Sequence, residues 1–435
     1  MKTGCTSAVT AAVLLVLIST AAIPGQDAPS SDEDDMVWSG IVDLDKNVTV
    51  EKGEKLIVES GTEVRFGPDI FVTVEGEVHC GGIEDDPVRL NNTHDRMSGG
   101  FVLLNSEQGR FEHCIFTNFS VAVLSVYSDI HMDGCAINRS GIGVFSHQGH
   151  LDMSDTRFDD CDVAVDLVLT TARLQGCAFS NNLQSLTAYN DESRIGAFLK
   201  FAMSSVEQDR DMTHDLSNYT WEVRNCTFSD TGIGFSAVMV DDVVVDGCTF
   251  DSCKKGIHLK HTPGLVRGCV FQGNKMDFEV QGWGVEIEDY DLDDPERPHS
   301  FYSVFDVELN DLKGDPLGKT FVVFQHQGSS RVSYMTDGSG VLHNVTLLSS
   351  RVMDGKMEDY DEYIVYVKDE QFPGNITLTL SEVEGQSVEL DPGDFAGGSE
   401  DDPMDPDDRM WFLVLIFVAA LGIVAVYLMV VKRIG

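Results

Sequence analysis

From residue 114 onward the apolar and polar positions return with one period. Aligned on Cys114, Cys135, Thr156, Cys177, Cys226, Cys248 and Cys269, the steps are 21, 21, 21, 49, 22 and 21 residues. Two positions further on stand Phe116, Ile137, Phe158, Phe179, Phe228, Phe250 and Phe271. Nine positions further on stand Val123, Val144, Val165, Leu186, Phe235, Ile257 and Phe278. Between these two columns lie Asn, Asp, Ser, Thr and Gly, the residues of turns. Before each cysteine slot runs an alternating stretch such as "DIHMDG" or "VVVDG", which has the period of a strand. A unit this short cannot bury its own apolar face, but stacked units share a continuous core. Helical repeats need about 33 residues or more, and the leucine-rich pattern is absent. The spacing therefore predicts an all-β protein, a right-handed parallel β-helix over residues 40–281. Cys and Phe would point inward, and Asn225 and Thr227, one position off, outward.

The register fails between residues 187 and 222. The 49-residue step fits either one degenerate coil with some seven extra residues or a lateral excursion of about 28. Within it, Ile195 to Val206 reads as a strand or a short helix. Such a stretch is either a tolerated surface insertion or a lobe that shapes a ligand groove.

Residues 48–104 carry a further pattern: Gly53, then Gly61, Thr62, Val64 and Phe66, then Val74, Gly76 and Val78, then Pro87 and Val88. In this order they resemble the opening of secreted pectate-lyase-like β-helix proteins, and the resemblance covers roughly residues 40–280. It implies the β-helix fold. It does not imply one chemistry, because such folds carry lyases, hydrolases and binding proteins alike.

After the coils, "GVEIEDYDLDDPERPHS" is acidic and Pro-bearing, which predicts a linker over 282–300. Residues 301–391 then alternate as short strands. Gly314, Pro316 and Leu317, followed by Thr336 and Gly340, are similar to the carboxypeptidase-regulatory or transthyretin-like β-sandwich. That resemblance implies a stalk or adhesion module, usually without catalytic residues.

The chain ends set the expected compartment. Residues 1–25 show a basic start, the apolar centre Ala8 to Ile18, and small residues at Thr20 and Ala22, the pattern of a secretory signal. Residues 26–39 and 392–409 read as acidic, unstructured segments. Residues 410–431 are apolar. The uncharged run Trp411 to Val431 would reach roughly 31 Å as a helix, enough to cross a bilayer core. Lys432 and Arg433 follow, which predicts a cytoplasmic tail over 432–435. The expectation is a single-pass protein of the cell membrane, with the bulk of the chain extracellular and the membrane as a partner through its C-terminal helix.

Asp and Glu number 72 against 30 Lys and Arg, a formal charge of −42. The tails Asp27 to Asp35 and Asp391 to Asp408 hold 5 and 8 acidic residues, leaving 59 elsewhere. Such a chain repels nucleic acid and anionic lipid. The dispersed excess points to a saline exterior and could hold divalent cations; no cofactor is expected, unless Ca2+, which the pectate-lyase-like resemblance implies for its lyases.

Without Cys5, which falls in the signal, nine cysteines remain, an odd number outside a paired disulfide set. No Cys-x-x-Cys occurs. Coils about 4.8 Å apart with parallel Cβ vectors fit a disulfide poorly. A stack of buried thiols is expected rather than bridges at Cys114–Cys135 or Cys248–Cys269. Cys161 and Cys253 share a small polar turn column with Ser140, Asn182, Thr231 and Asn274.

One basic island interrupts the acidic chain: Lys254, Lys255, His258, Lys260, His261 and Arg267. Pectate-lyase-like lyases pair a basic residue with Asp-bound calcium, and Asp241, Asp242, Asp246 and Asp251 lie on neighbouring coils. None matches a catalytic motif of that family residue by residue. Local charge balance explains the same residues. Sequons stand at Asn47, Asn91, Asn118, Asn138, Asn218, Asn225, Asn344 and Asn375, candidates for glycosylation in an exported chain. Two functions follow. One is a non-catalytic surface protein that binds polysaccharide, an envelope protein or ions. The other is a surface polysaccharide lyase or glycoside hydrolase.

Overall fold

A computed structural model describes residues 35–93, 99–106, 108–190, 220–292, 294, 296–326, 331–372, 374–383 and 386–395. The expected signal, most of the 187–222 break, Asn218 and the apolar C-terminal stretch lie outside these residues. Among the described residues no helix is long and apolar enough to cross a membrane. The chain divides into two compact units. The first runs up to Val304 and includes Thr346–Asp359; the second holds Phe305–Val345 and the residues from Tyr360 on.

The first unit is a right-handed parallel β-helix of about ten coils, each laying one strand on each of three sheets. Sheet A runs from Met36–Trp38 to Val285–Ile287, and sheet B from Ile41–Leu44 to Val270–Gln272. Sheet C runs from Val48–Val50 through Phe278–Gln281 to the strand His299–Leu309. Every third strand in the chain is a sheet neighbour, so residues one coil apart sit in register. The three predicted columns are seen as such. Phe158, Phe179, Phe228, Phe250 and Phe271 stack with centroids 4.8–5.1 Å apart and planes within 7°. That spacing is the coil rise itself. Val123, Val144, Val165, Leu186, Phe235, Ile257 and Phe278 follow one another as register partners on sheet C. Thr227 and Asn225 are exposed, as alternation requires.

The cysteine column sits in the corner between sheets A and B, immediately before the sheet B strand in all coils but that of Cys114. All nine described cysteines are free. The slot has a hydrogen-bonding job. The Cys135 thiol donates to the Phe111 carbonyl one coil away (3.3 Å) and its sulfur accepts the Cys114 N–H (3.5 Å). Thr156 repeats the pattern with a hydroxyl, which accepts the Cys135 N–H at 3.3 Å. Burial pushes the Cys114 and Cys135 thiols well up, and Cys253 up to about 11. These thiols are inert while folded. Cys135→Thr should therefore cost less than about 1 kcal/mol, whereas Cys135→Ala, which strands the Cys114 N–H, should cost about 1–3 kcal/mol. Urea unfolding of both variants, with thiol titration before and after unfolding, checks this.

Corners are the feature the sequence hides. After sheet B the chain turns on one left-handed residue per coil: Asn118, Arg139, Asp160, Asn181, Asp230 and Ser252, all with φ between 51° and 67°. After sheet C the same geometry falls on Tyr127, Leu169 and Met239, with φ of 54°, 49° and 58°. Bulky residues rarely adopt this conformation. Stacking holds them there: the backbone N–H of Tyr127, Leu169 and Met239 each bonds the neighbouring coil at 2.8–2.9 Å. Gly76 shows the opposite constraint, because a Cβ there would lie 2.2 Å from the Glu54 carbonyl.

Two boundaries differ from expectation, and one of the two alternatives for the 49-residue step is removed. The β-helix begins at Met36, inside the stretch read as acidic and unstructured, because Met36–Trp38 pairs with Lys55–Val58. The 49-residue step adds no coil: Ala172 pairs directly with Trp221 and Tyr189 with Val238. Residues 191–219, between these strands, lie outside the described residues. The predicted linker 282–300 is part of the coil, since Val285–Ile287 pairs with sheet A and His299 with Phe278. Its Tyr290 ring closes the end of the core, 5.5 Å from Phe271 and 4.8 Å from Phe278. The Tyr290 hydroxyl donates to Asp277 (2.9 Å), whose carboxyl burial holds above the usual range. The acidic composition reflects the outward side of this cap.

In the second unit, a four-stranded antiparallel sheet combines Val332–Met335, Phe321–Gln325, Glu362–Val367 and Ile376–Thr379 in that order. Asp306–Leu309 pairs in parallel with Ser387–Leu390. The Phe305 and Phe324 rings meet at 6.2 Å. Leu317 and Thr336, distant in sequence, are joined where the Thr336 hydroxyl donates to the Leu317 carbonyl (2.8 Å).

Candidate functional site

The outer face of sheet C carries an unbroken polar column in its C-terminal half. Asp166, Thr187, Ser236, His258 and Glu279 are successive register partners on five coils. Each lies ten positions after the cysteine slot, one after the inward apolar column, and so faces outward. The Thr187 hydroxyl donates to Asp166 (2.7 Å). Ser236 Oγ lies 3.0 Å from His258 Nδ1, and His258 Nε2 lies 3.5 Å from Glu279 Oε1. Lys255 Nζ meets Glu279 Oε2 at 2.6 Å. Glu279 is only 14% exposed, so this carboxylate is held by a lysine and an imidazole in a partly desolvated setting.

The basic island is split in two. Lys255, His258 and Lys260 lie along the one strand Lys255–Lys260, with His258 and Lys260 alternating outward, and Lys254 is exposed just before it. The chain then turns the corner at His261, and Arg267 lies on sheet A. There it grips Asp246 at 2.9 Å, with Arg224 on the same carboxylate oxygen at 3.3 Å. The Arg267 guanidinium holds the Asp246 carboxyl below the usual range. Six residues suffice to change faces in a 21-residue coil, which is why one sequence run serves two surfaces. His261, half-buried at the corner and next to Lys260, has its imidazole pushed below the usual range by burial and then by that charge.

The Asp residues expected to form a cation site are not brought together. Asp241 accepts from Asn190 (3.2 Å), Asp242 opens the sheet A strand opposite Thr220, and Asp246 is engaged by two arginines. Among the described residues no group of three metal-ligating side chains forms. The sequons differ in access. Asn47, Asn225 and Asn344 are exposed, Asn91, Asn138 and Asn375 half-buried, and the Asn118 amide oxygen is buried.

Ser236, His258 and Glu279 stand in the order of a nucleophile, a base and an acid. Acyl transfer also needs N–H donors aimed at a developing oxyanion. Strand Ile233–Val238 is paired on both sides, so its backbone donors are taken up in the ladders. The column is a row of polar groups spaced by one coil rise, in which Thr187 and Ser236 are buried and His258 and Glu279 are partly exposed. The sequence marks His258 through the charge around it. It leaves Asp166, Thr187, Ser236 and Glu279 unmarked unless the tenth column of the same repeat alignment is read as well.

No family model and no curated protein matches the chain. Among solved structures, the tailspike protein of Acinetobacter phage vB_ApiP_P1 is similar at 9% identity and TM-score 0.34, over 80% of this chain and 73% of that one. The Streptococcus pneumoniae surface protein and adhesin PfbA is similar at 9% identity and TM-score 0.24, over 58% and 91%. Pantoea stewartii WceF, described as a glycan biofilm modifying enzyme with a tailspike-like parallel β-helix fold, is similar at 8% identity and TM-score 0.25, over 77% and 63%. At these scores the fold rests on the strand order of this chain, and no activity transfers from the likenesses.

Proposed function

We propose that the protein is a membrane-anchored, cell-surface β-helix that binds polysaccharide along the polar outer column of sheet C, without cleaving it. The observation that carries this reading is the in-register row from Asp166 to Glu279. The half-buried His258 imidazole and Glu279 carboxylate can exchange hydrogen bonds with sugar hydroxyls, while the buried Thr187 and Ser236 hydroxyls hold their neighbours in place. Lys254 and Lys260 make no ion pair among the described residues. They give the row a local positive flank in an acidic chain, which favours a uronate-bearing glycan. The second unit serves as the stalk, and residues 410–431 as the anchor.

A glycan array with the full chain tests this. His258→Ala combined with Glu279→Gln should weaken binding about tenfold or more, as expected for losing a charge-assisted hydrogen bond. Binding that survives both changes together with Lys260→Ala would refute the site. The second reading, a lyase or hydrolase, draws on the imidazole beside Glu279. Release of unsaturated or shortened products from a bound polyuronate, abolished by His258→Ala, would establish it instead.

A further inference from the structure

The last coil breaks the pattern of the corner that joins sheet C to sheet A. Val126, Val168, Val238, Lys260 and Gln281 share one register column at the end of sheet C. Two residues past them stand Ser128, Thr170, Val240, Thr262 and Trp283. The first four are at most 2% exposed, whereas Trp283 is 53% exposed. The slot is tight, since the Thr262 hydroxyl there accepts the Val240 N–H at 3.2 Å. An indole does not fit it, and glycines on both sides let the chain turn it out. Gly282 and Gly284 have φ of 118° and 78°, and a Cβ on Gly284 would lie 3.1 Å from the Pro263 Cβ. Tryptophan is the side chain with most to gain from burial, so a ring held in water at a rigid corner marks a contact surface.

We infer that Trp283 is a stacking platform for a pyranose ring at the C-terminal end of the polar row on sheet C, a role that rests on the glycan-binding reading of that row. The ring is continuous with the row. Glu279 and Gln281 face outward on the strand Phe278–Gln281, and the Gln281 amide donates to Glu279 Oε1 at 3.4 Å. Trp283 follows two residues later, so its Cα lies at most about 14 Å from that of Glu279. Lys260, the register partner of Gln281, supplies a cation beside it. The chemistry fits a uronate. The electron-rich indole face takes the C–H face of the sugar ring, and Lys260 takes the carboxylate. On the other side of the corner, Glu286 faces outward on sheet A and is exposed. It repels the carboxylate and accepts from hydroxyls, which orients the ring toward Lys260. A lipid surface would meet both sides at once, and exposed Glu286, Glu288 and Asp289 oppose that contact.

The test uses the full chain with oligogalacturonate and oligomannuronate as probes. Binding should change the tryptophan fluorescence, and the change should vanish in Trp283→Phe. Affinity should fall about tenfold in Trp283→Ala and in Trp283→Leu. It should fall less than about threefold in Trp283→Phe, which keeps an aromatic face. Thermal unfolding should be the same in all of them, because the native ring is exposed. Should Trp283→Ala fail to fold, the comparison of Leu with Phe carries the test, and equal affinity in those two overturns the stacking role. Native affinity in Trp283→Ala, with binding lost in His258→Ala combined with Glu279→Gln, overturns the platform and leaves the row standing. Failure of the native chain to bind either probe overturns both. Capture of the protein by phosphatidylcholine vesicles, lost in Trp283→Ala, would make the ring a membrane contact and overturn the inference.

Discussion

Phe228→Ala should be the most damaging single substitution in the β-helix, costing about 3–5 kcal/mol. The Phe228 ring lies between Phe179 at 4.9 Å and Phe250 at 4.8 Å, with planes 3° apart on both sides. Removing it opens a void that its neighbours cannot fill, because each is fixed in register by its own coil. In a stacked repeat each coil is stabilised mainly through the next, so the loss at a central coil weakens both halves. Melting should fall by roughly 10 °C. Phe271→Ala, in the last coil of the stack and only half-buried, should cost distinctly less. Differential scanning calorimetry of the two variants distinguishes the cases. Equal losses at both positions would show that the column is not packed as a continuous stack.

That column is legible because its period survives in the sequence. Cys135 and Ile137, like Cys248 and Phe250, keep the same spacing from coil to coil, so the fold, the inward faces and the free thiols can be read from the residues. The corners cannot. Nothing in Leu169 or Met239 announces a left-handed backbone, because the reason lies in a hydrogen bond to the next coil rather than in the residue. The acidic stretch 282–300 misleads for a related reason. Tyr290 and Ile287 bury one side of a segment whose other side carries the acids that dominate its composition. For the site, charge alone draws together Lys255 and Arg267, which the coil geometry sends to different sheets. Ser236 and Glu279 join His258 only across coils, so no local motif marks them.

Acid should unfold the β-helix through His147 before it reaches the carboxylates. Burial lowers the His147 imidazole to about 4 from an ordinary value of 6.5. Among the described residues its sheet neighbours are Val126 and Val168, which give no compensation, and the ring beside it is Tyr127, 5.7 Å away. The native state therefore holds the ring neutral, while the unfolded chain takes up a proton below pH 6.5. Stability from this group is intact above pH 6.5 and is lost as pH falls toward 4, by about 3 kcal/mol in all. The ion-paired acids act lower. Arg110 and His79 hold Glu112 down to about 2 from an ordinary 4.5, so its contribution is whole above pH 4.5 and is lost as pH falls from there toward 2. Urea midpoints measured from pH 7.5 to 4 should decline steeply in the native protein. In His147→Leu the decline over that window should flatten, and stability at pH 7.5 should rise by about 1 kcal/mol or more, because two stranded ring nitrogens are gone. An unchanged slope in His147→Leu would place the acid sensitivity elsewhere.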